Sequence, residues 1–241
     1  MRFRVLACDY DRTLATHGVA SGAAVSGLRD VAASGRRLVL VTGRVLDEIR
    51  DVFTELDTFD RVVVENGGVL YDPATGGQRL LGPPVSADLV ADLRDAGVEP
   101  LVVGRVLCAT LIESESLVRD AVRRLDPDRE VIYNKNSVMV LPRGVDKATG
   151  LRAALDDMGE NLEQTVAVGD AENDVVLISA AGVGAAVANA LDVVKEHADV
   201  VLDRPNGEGV RTLCTALVDD DLAALLAGPS GGRAAGWVAQ R

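Results

Sequence analysis

Short apolar runs recur along the chain and stop abruptly at polar or glycine positions. The runs "FRVLAC" (3–8), "RLVLVT" (37–42), "RVVVE" (61–65), "TVAVG" (165–169), "GVGAAV" (182–187) and "DVVL" (199–202) are short and rich in Val or Leu. They end at Asp, Thr-Gly, Asn-Gly or Gly. Strands apolar on both faces are what a parallel sheet covered by helices on each side requires. Between these runs lie helical patterns at 21–34, 45–55, 147–158, 172–180 and 207–218. The alternation predicts an α/β fold with a doubly wound, Rossmann-like parallel sheet, in which ligands sit beyond the carboxyl ends of the strands.

The rhythm changes in the middle of the chain. After "ENGGVLYDPATGGQRLLGPP" come a helical pattern (86–96), a strand pattern "RVLCATLI" (105–112) and a second helical pattern (115–125). "EVIYN" and "SVMVLP" follow, joined by Lys135 and Asn136. This order predicts a small antiparallel sheet with two helices, an α+β module inserted into the larger sheet. The expected division is a core of 1–81 and 144–226, an inserted module of 82–143, and a Gly-rich C-terminal tail of 227–241.

Composition narrows the function classes. The chain has 241 residues, 48% of them apolar and 26% charged, as expected of a soluble globular protein. With aromatics at 3%, the core must be built from Val, Leu and Ala. A net charge of −12 disfavours nucleic acid as a partner, because a phosphate backbone needs a cationic face. No apolar run approaches the roughly 20 residues that span a bilayer, so no membrane partner is expected. "MRFRVLACDY" lacks the long apolar region of a signal peptide. Cys8, Cys108 and Cys214 show neither disulfide nor metal-ligand spacing, which predicts buried thiols in a reduced, cytoplasmic compartment. Oligomeric state is not encoded in any of these features.

The candidate chemistry lies at the strand ends. Asp9 and Asp11 follow the first strand; Thr42, Gly43 and Arg44 end the second. Lys147 opens a helix after the insert, and "GDAEND" (169–174) follows a later core strand. One sheet edge would gather the carboxylates of Asp9, Asp11, Asp170 and Asp174 with one ammonium and one hydroxyl. Four packed acids repel unless a cation sits among them, and a hard divalent ion with oxygen ligands, Mg²⁺, answers that need. A phosphate oxygen then suits the metal's open position, with Lys147 and Thr42 holding other phosphate oxygens. Asp9 is placed to attack phosphorus as a nucleophile, and Asp11 to act as general acid and base. The structural alternative for a single Asp at a strand end is a helix or turn cap. His17, His197 and the acidic run 219–221 read as solvated surface.

"DYDRTL", "VTGR", Lys147 and "GDAEND", in that order, resemble the four motifs of the haloacid dehalogenase superfamily of Mg²⁺-dependent phosphatases. The insert between the second and third motifs resembles the type-II cap of the Cof-like subfamily. "ENGGVLYD" and "GVGAAVANA" resemble further segments of it, so the likeness spans roughly 3–218. The resemblance implies an aspartyl-phosphate on Asp9, acid–base chemistry by Asp11, and phosphate contacts from Thr42, Gly43, Lys147 and Asn173. It implies Mg²⁺ at Asp9, Asp170 and Asp174 and at the Asp11 backbone carbonyl, and a small phosphorylated metabolite as substrate: a sugar phosphate, phosphoglycolate or a biosynthetic intermediate. Arg44 either meets substrate or pairs with an acid, and Lys135 of the insert reaches the leaving group. Arg12 departs from the pattern, standing where Gly is usual. It contacts an anionic substrate, pairs with an acid such as Asp174, or weakens turnover. The rival functions are accordingly a weakened phosphate-binding or regulatory module and a phosphoryl-transferring mutase.

Overall fold

The structure is a computed structural model and describes residues 1–228. Its strands are β1 (Val5–Cys8), β2 (Ala15–Thr16), β3 (Val19–Ala20), β4 (Arg37–Val41), β5 (Arg61–Val64), β6 (Val69–Tyr71) and β7 (Gln78–Leu80). They continue as β8 (Val102–Val103), β9 (Cys108–Leu111), β10 (Arg129–Asn134), β11 (Ser137–Pro142), β12 (Thr165–Gly169), β13 (Val183–Ala186) and β14 (Val200–Val201). The helices are α1 (Gly22–Ala33), α2 (Leu46–Val52), α3 (Ala87–Asp95), α4 (Glu115–Leu125), α5 (Lys147–Met158), α6 (Val175–Ala180), α7 (Asp192–His197), α8 (Asn206–Asp220) and α9 (Ala223–Ala227).

All four residues of β1 are buried, so the strand needs cover on both faces and both edges. It lies inside an eight-stranded sheet of order β14-β13-β12-β1-β4-β5-β6-β7. Helices cover the sheet in two groups, α1 packing on α8 and α5 on α6. β1 pairs in parallel with β4 and β12, and Cys8 stands opposite Leu40 and Val168. This register brings the residues after all three strands, Asp9, Thr42 and Asp170, to one sheet edge.

The sheet departs from the expected all-parallel form at one side. β6 runs antiparallel to β5, and β7 antiparallel to β6. The link from Val64 to Val69 is too short for the crossover that a parallel pair needs. The short helices α7 and α9 also lie outside the expected patterns; of the expected tail, Ala227 closes α9, and residues 229–241 lie outside the described residues.

The middle segment forms a four-stranded antiparallel sheet, β10-β11-β9-β8, with α3 and α4. One face packs on the helices through Leu89, Leu93, Val118, Val122, Val138 and Val140, an apolar cluster of its own. The other contributes Leu107, Met139 and Leu141 to a cluster with Val145, against which Val45 packs. The strand expected over 105–112 begins only at Cys108. The reason is Glu65: its buried carboxylate accepts the backbone N–H groups of Arg105 (2.9 Å), Val106 (2.7 Å) and Leu107 (3.0 Å). Backbone donors bound by a side chain do not enter a ladder.

Among the described residues no helix is long and apolar enough to cross a membrane. Cys8, Cys108 and Cys214 are buried free thiols. The acidic run at the end of α8 is less solvated than expected. Asp221 takes a left-handed backbone (φ 59°) and binds the guanidinium of Arg36 at 2.9 Å and the backbone N–H of Phe3 at 3.3 Å.

Candidate active site

Lys147 is the pivot of the strand-end cluster. It is the first residue of α5, after the N-cap Asp146, which forms a reciprocal capping box with Thr149. A cation in the first turn opposes the helix dipole, and this one is 1% exposed. Its ammonium donates to Asp9 Oδ1 and to Asp174 Oδ1, both at 2.6 Å. Burial works against the charge of Lys147, but Asp174 and Asp9 outweigh it and hold the ammonium's pKa above its ordinary value. The turn after β5 fixes where α5 begins. Gly67 has φ 106°, and a Cβ there would lie 2.0 Å from the Asp146 carbonyl oxygen, so the turn admits no side chain.

Asp174 is fully buried, and its Oδ2 accepts the backbone N–H groups of Asp170 and Ala171, each at 3.0 Å. A Cβ at Gly169 would lie 2.4 Å from the Asp174 Cβ, so the glycine before Asp170 provides the space for that loop to fold back. Asp170 is 1% exposed. Thr13 Oγ1 donates to its Oδ1 at 3.4 Å, and the Lys135 ammonium donates to its Oδ2 at 2.7 Å. Burial raises the pKa of Asp170 despite Lys135 and Arg12.

Carboxylate oxygens of Asp9, Asp170 and Asp174 lie within 4.8 Å of one another, and all three residues are buried. Burial and then Asp174 push the Asp9 carboxyl up to about 7 against the pull of Lys147. Lys147 bonds only Asp9 and Asp174, while the partly exposed Lys135 and Arg12 meet Asp170, so one buried ammonium stands among three buried acids. Their oxygen donors are those a hard divalent cation accepts, so this set fits such an ion.

Asp11 stands apart from that trio, so three of the four expected carboxylates gather. Its two oxygens receive the Nε and Nη2 of Arg44, both at 2.7 Å, while the Arg44 guanidinium lies 5.7 Å from the centre of the Tyr10 ring. Of the two roles open for Arg44 in the sequence, the structure shows an ion pair with Asp11, and Arg44 also lines the cavity. Thr42 is buried and its hydroxyl accepts the Arg44 N–H at 3.2 Å. Gly43 lines the cavity; Thr42, 1% exposed, is not among its lining residues.

The cavity measures about 740 Å³ and lies between the large sheet's carboxyl edge and the smaller sheet. Asp9, Asp11, Arg12, Arg44, Lys147, Asp170, Asn173 and Asp174 line it from one side; Asn134, Lys135, Ser137 and Met139 line it from the other. Asn173 donates to Asn66 at 2.8 Å, but its own amide oxygen is buried without a partner, as is that of Asn134. Buried polar atoms left unpaired each cost about 1–3 kcal/mol, and at a cavity wall they mark where a ligand makes the missing bonds. Arg12 has the left-handed backbone (φ 63°) that glycine ordinarily supplies. Its Nε lies 3.7 Å from Asp170 Oδ2, so its acid partner is Asp170 rather than Asp174.

Three further residues shape the site without having drawn a role in the sequence. Asn66 orients Asn173, Glu65 ties the turn after β5 to the middle segment, and Asn189 donates to the Arg12 carbonyl at 2.8 Å. Glu65 and Asn66 lie where the run 61–65 ends at Asn-Gly, which signals a strand end but no role, and Asn189 lies in "VANA", marked only by family likeness.

Comparison with known proteins places this geometry among phosphatases. A family model described as haloacid dehalogenase-like hydrolase matches residues 104–213. A phosphoglycolate phosphatase of Methanothermobacter thermautotrophicus is 32% identical over 215 residues, covering 86% of this chain and 95% of that protein. The 5-amino-6-(5-phospho-D-ribitylamino)uracil phosphatase YcsE of Bacillus subtilis is 25% identical over 86% of this chain and 92% of its own. Among solved structures, a haloacid dehalogenase-like hydrolase from Bacteroides thetaiotaomicron superposes with a TM-score of 0.75 at 20% identity, covering 89% of this chain and 99% of that one.

Proposed function

The chain belongs to the haloacid dehalogenase-like hydrolases and is a phosphatase of that family, and from this we propose that it is a Mg²⁺-dependent phosphomonoesterase working through an aspartyl-phosphate on Asp9. The observation that carries the reading is the buried trio Asp9, Asp170 and Asp174 with Lys147 bonded to two of them. Mg²⁺ held by these carboxylates and the Asp11 carbonyl would neutralise phosphate oxygens. Lys147, Thr42, the Gly43 loop and Asn173 bind and orient the phosphoryl group, with Lys147 holding Asp9 Oδ1 so that Oδ2 faces phosphorus.

Asp9 attacks the phosphorus, the bond to the ester oxygen breaks, and Asp11 delivers a proton to the departing alkoxide. Water then attacks the aspartyl-phosphate while Asp11 takes its proton. The phosphorus–Asp9 bond breaks, and inorganic phosphate and the free carboxylate result. Arg44 pairs with the carboxylate form of Asp11, the form needed in this second half. Loosening of that pair as substrate enters frees Asp11 for the first.

Residues 82–143 act as the cap, bringing Asn134 and Lys135 over the leaving group. The substrate is a small phosphorylated metabolite that fits the cavity. Phosphoglycolate and the ribitylaminouracil phosphate named for the relatives come first in a test panel. A cytoplasmic location suits three free thiols, and the −12 charge argues against nucleic acid as a partner.

The test is phosphate release from p-nitrophenyl phosphate and that panel. Asp9→Ala is expected to lower turnover by at least 10³-fold, and excess chelator to abolish it, with recovery on adding Mg²⁺. Turnover that survives either treatment overturns the reading.

A further inference from the structure

Arg12 has no place in the four-motif chemistry, yet the fold holds it firmly at the site. Its φ of 63° is a conformation that an L-residue with a side chain adopts at a cost of about 1–2 kcal/mol. Two hydrogen bonds keep it there. The Arg12 N–H donates to the Ala15 carbonyl at 2.8 Å, and Asn189 donates to the Arg12 carbonyl at 2.8 Å. Asn189 is itself anchored, accepting the backbone N–H of Asn206 at 2.7 Å. Strain maintained by surrounding bonds at a cavity wall points to a use for the side chain.

That side chain is 56% exposed and lines the cavity beside the nucleophile's loop. From the opposite wall comes Lys135, at the tip of the β10–β11 hairpin, with a left-handed backbone of its own (φ 52°). Both cations converge on one atom, Asp170 Oδ2, at 3.7 Å for Arg12 and 2.7 Å for Lys135. One carboxylate balances the charge of only one of the two cations. The other basic groups of the cavity are already committed: Lys147 to Asp9 and Asp174, Arg44 to Asp11. Of the remaining acids, Glu172 accepts the Lys135 backbone N–H at 3.2 Å, and Glu48 lies beside Arg44. When Asp170 turns to a divalent cation, Arg12 and Lys135 lose their shared anion and remain as two positive groups facing each other across the cavity.

We propose that Arg12, with Lys135 opposite, is the specificity residue that reads a carboxylate on the leaving group of the substrate. The inference rests on the phosphomonoesterase reading and deepens it. A planar guanidinium suits a carboxylate because it offers two parallel N–H donors, and removing it from a charged pair leaves the anion without that bond.

Two measurements test it. The first compares kcat/KM for 2-phosphoglycolate with kcat/KM for ethyl phosphate, which has the same heavy-atom skeleton apart from the carboxylate. Arg12→Gln is expected to lower the ratio of the two at least tenfold, and Arg12→Lys to retain part of it. The second needs no variant and no turnover: calorimetric binding, with Mg²⁺ present, of phosphonoacetate and of ethylphosphonate to the native chain. Phosphonoacetate is expected to bind at least tenfold more tightly. An unchanged ratio in Arg12→Gln, or equal affinity for the two phosphonates, overturns the assignment. A native chain that releases no phosphate from these esters, p-nitrophenyl phosphate or the rest of the panel but binds phosphonoacetate selectively overturns the phosphomonoesterase reading and leaves the carboxylate site standing.

Discussion

At the scale of single residues, Arg12 separates what the backbone needs from what the side chain supplies. The position needs φ near 63°, which glycine gives freely and every other residue resists. The Arg12–Asp170 pair returns little in stability, because the arginine is more than half exposed and Asp170 keeps Lys135. Truncation to Ala therefore keeps the strain and loses only a weak pair, whereas Gly removes the strain. Arg12→Gly is expected to be more stable than Arg12→Ala by about 1 kcal/mol, the reverse of the order found in helices. Urea midpoints of the two variants measure this, and an Ala variant equal to or above the Gly variant contradicts the strained position. The sequence showed Arg12 out of pattern but not its partner, since Asp170 becomes its neighbour only once β1 and β12 lie side by side.

Whole elements were more legible than their connections. Runs apolar on both faces identified β1, β4, β5 and β12, and because a parallel register aligns their ends, the candidate residues at those ends followed directly. The antiparallel edge β6–β7 was not legible, as apolar pattern alone carries no strand direction. Glu65 was equally hidden: at a strand end it looks like any other acid, yet it joins two sheets by accepting three backbone N–H groups from 105–107. One oxygen takes Arg105 and the other takes Val106 and Leu107. An amide in its place turns an NH₂ toward one of those groups and leaves a buried donor unpaired. Glu65→Gln is expected to cost about 2 kcal/mol, even after the relief of uncharging a residue that is 2% exposed. The check is a lowered urea midpoint with an unchanged m-value. A midpoint equal to that of the native chain would show that the clamp contributes nothing to holding the sheets together.

Taken as a whole molecule, the fold places its densest negative charge where water is least able to screen it. The carboxyl edge of an eight-stranded sheet buries Asp9, Asp170 and Asp174 together in a chain that already carries −12. Burial and Asp174 raise Asp9 from 3.8 to about 7. Between those two values the folded chain keeps a proton that the unfolded chain has released, so folding takes up a proton and stability falls as pH rises through that window. Above about pH 7 the folded state carries the whole cost of the ionised cluster, and a divalent cation among the three carboxylates offsets it. Saturating Mg²⁺ is therefore expected to raise Tm more at pH 8 than at pH 6, where the ion must first displace the Asp9 proton. Calorimetric titrations in buffers of different ionisation enthalpy should accordingly show release of about one proton per Mg²⁺ at pH 6 and close to none at pH 8. KCl at matched ionic strength separates this from general screening of an acidic surface. Equal Tm gains at the two pH values, together with no proton release at pH 6, would place the ion elsewhere than among Asp9, Asp170 and Asp174.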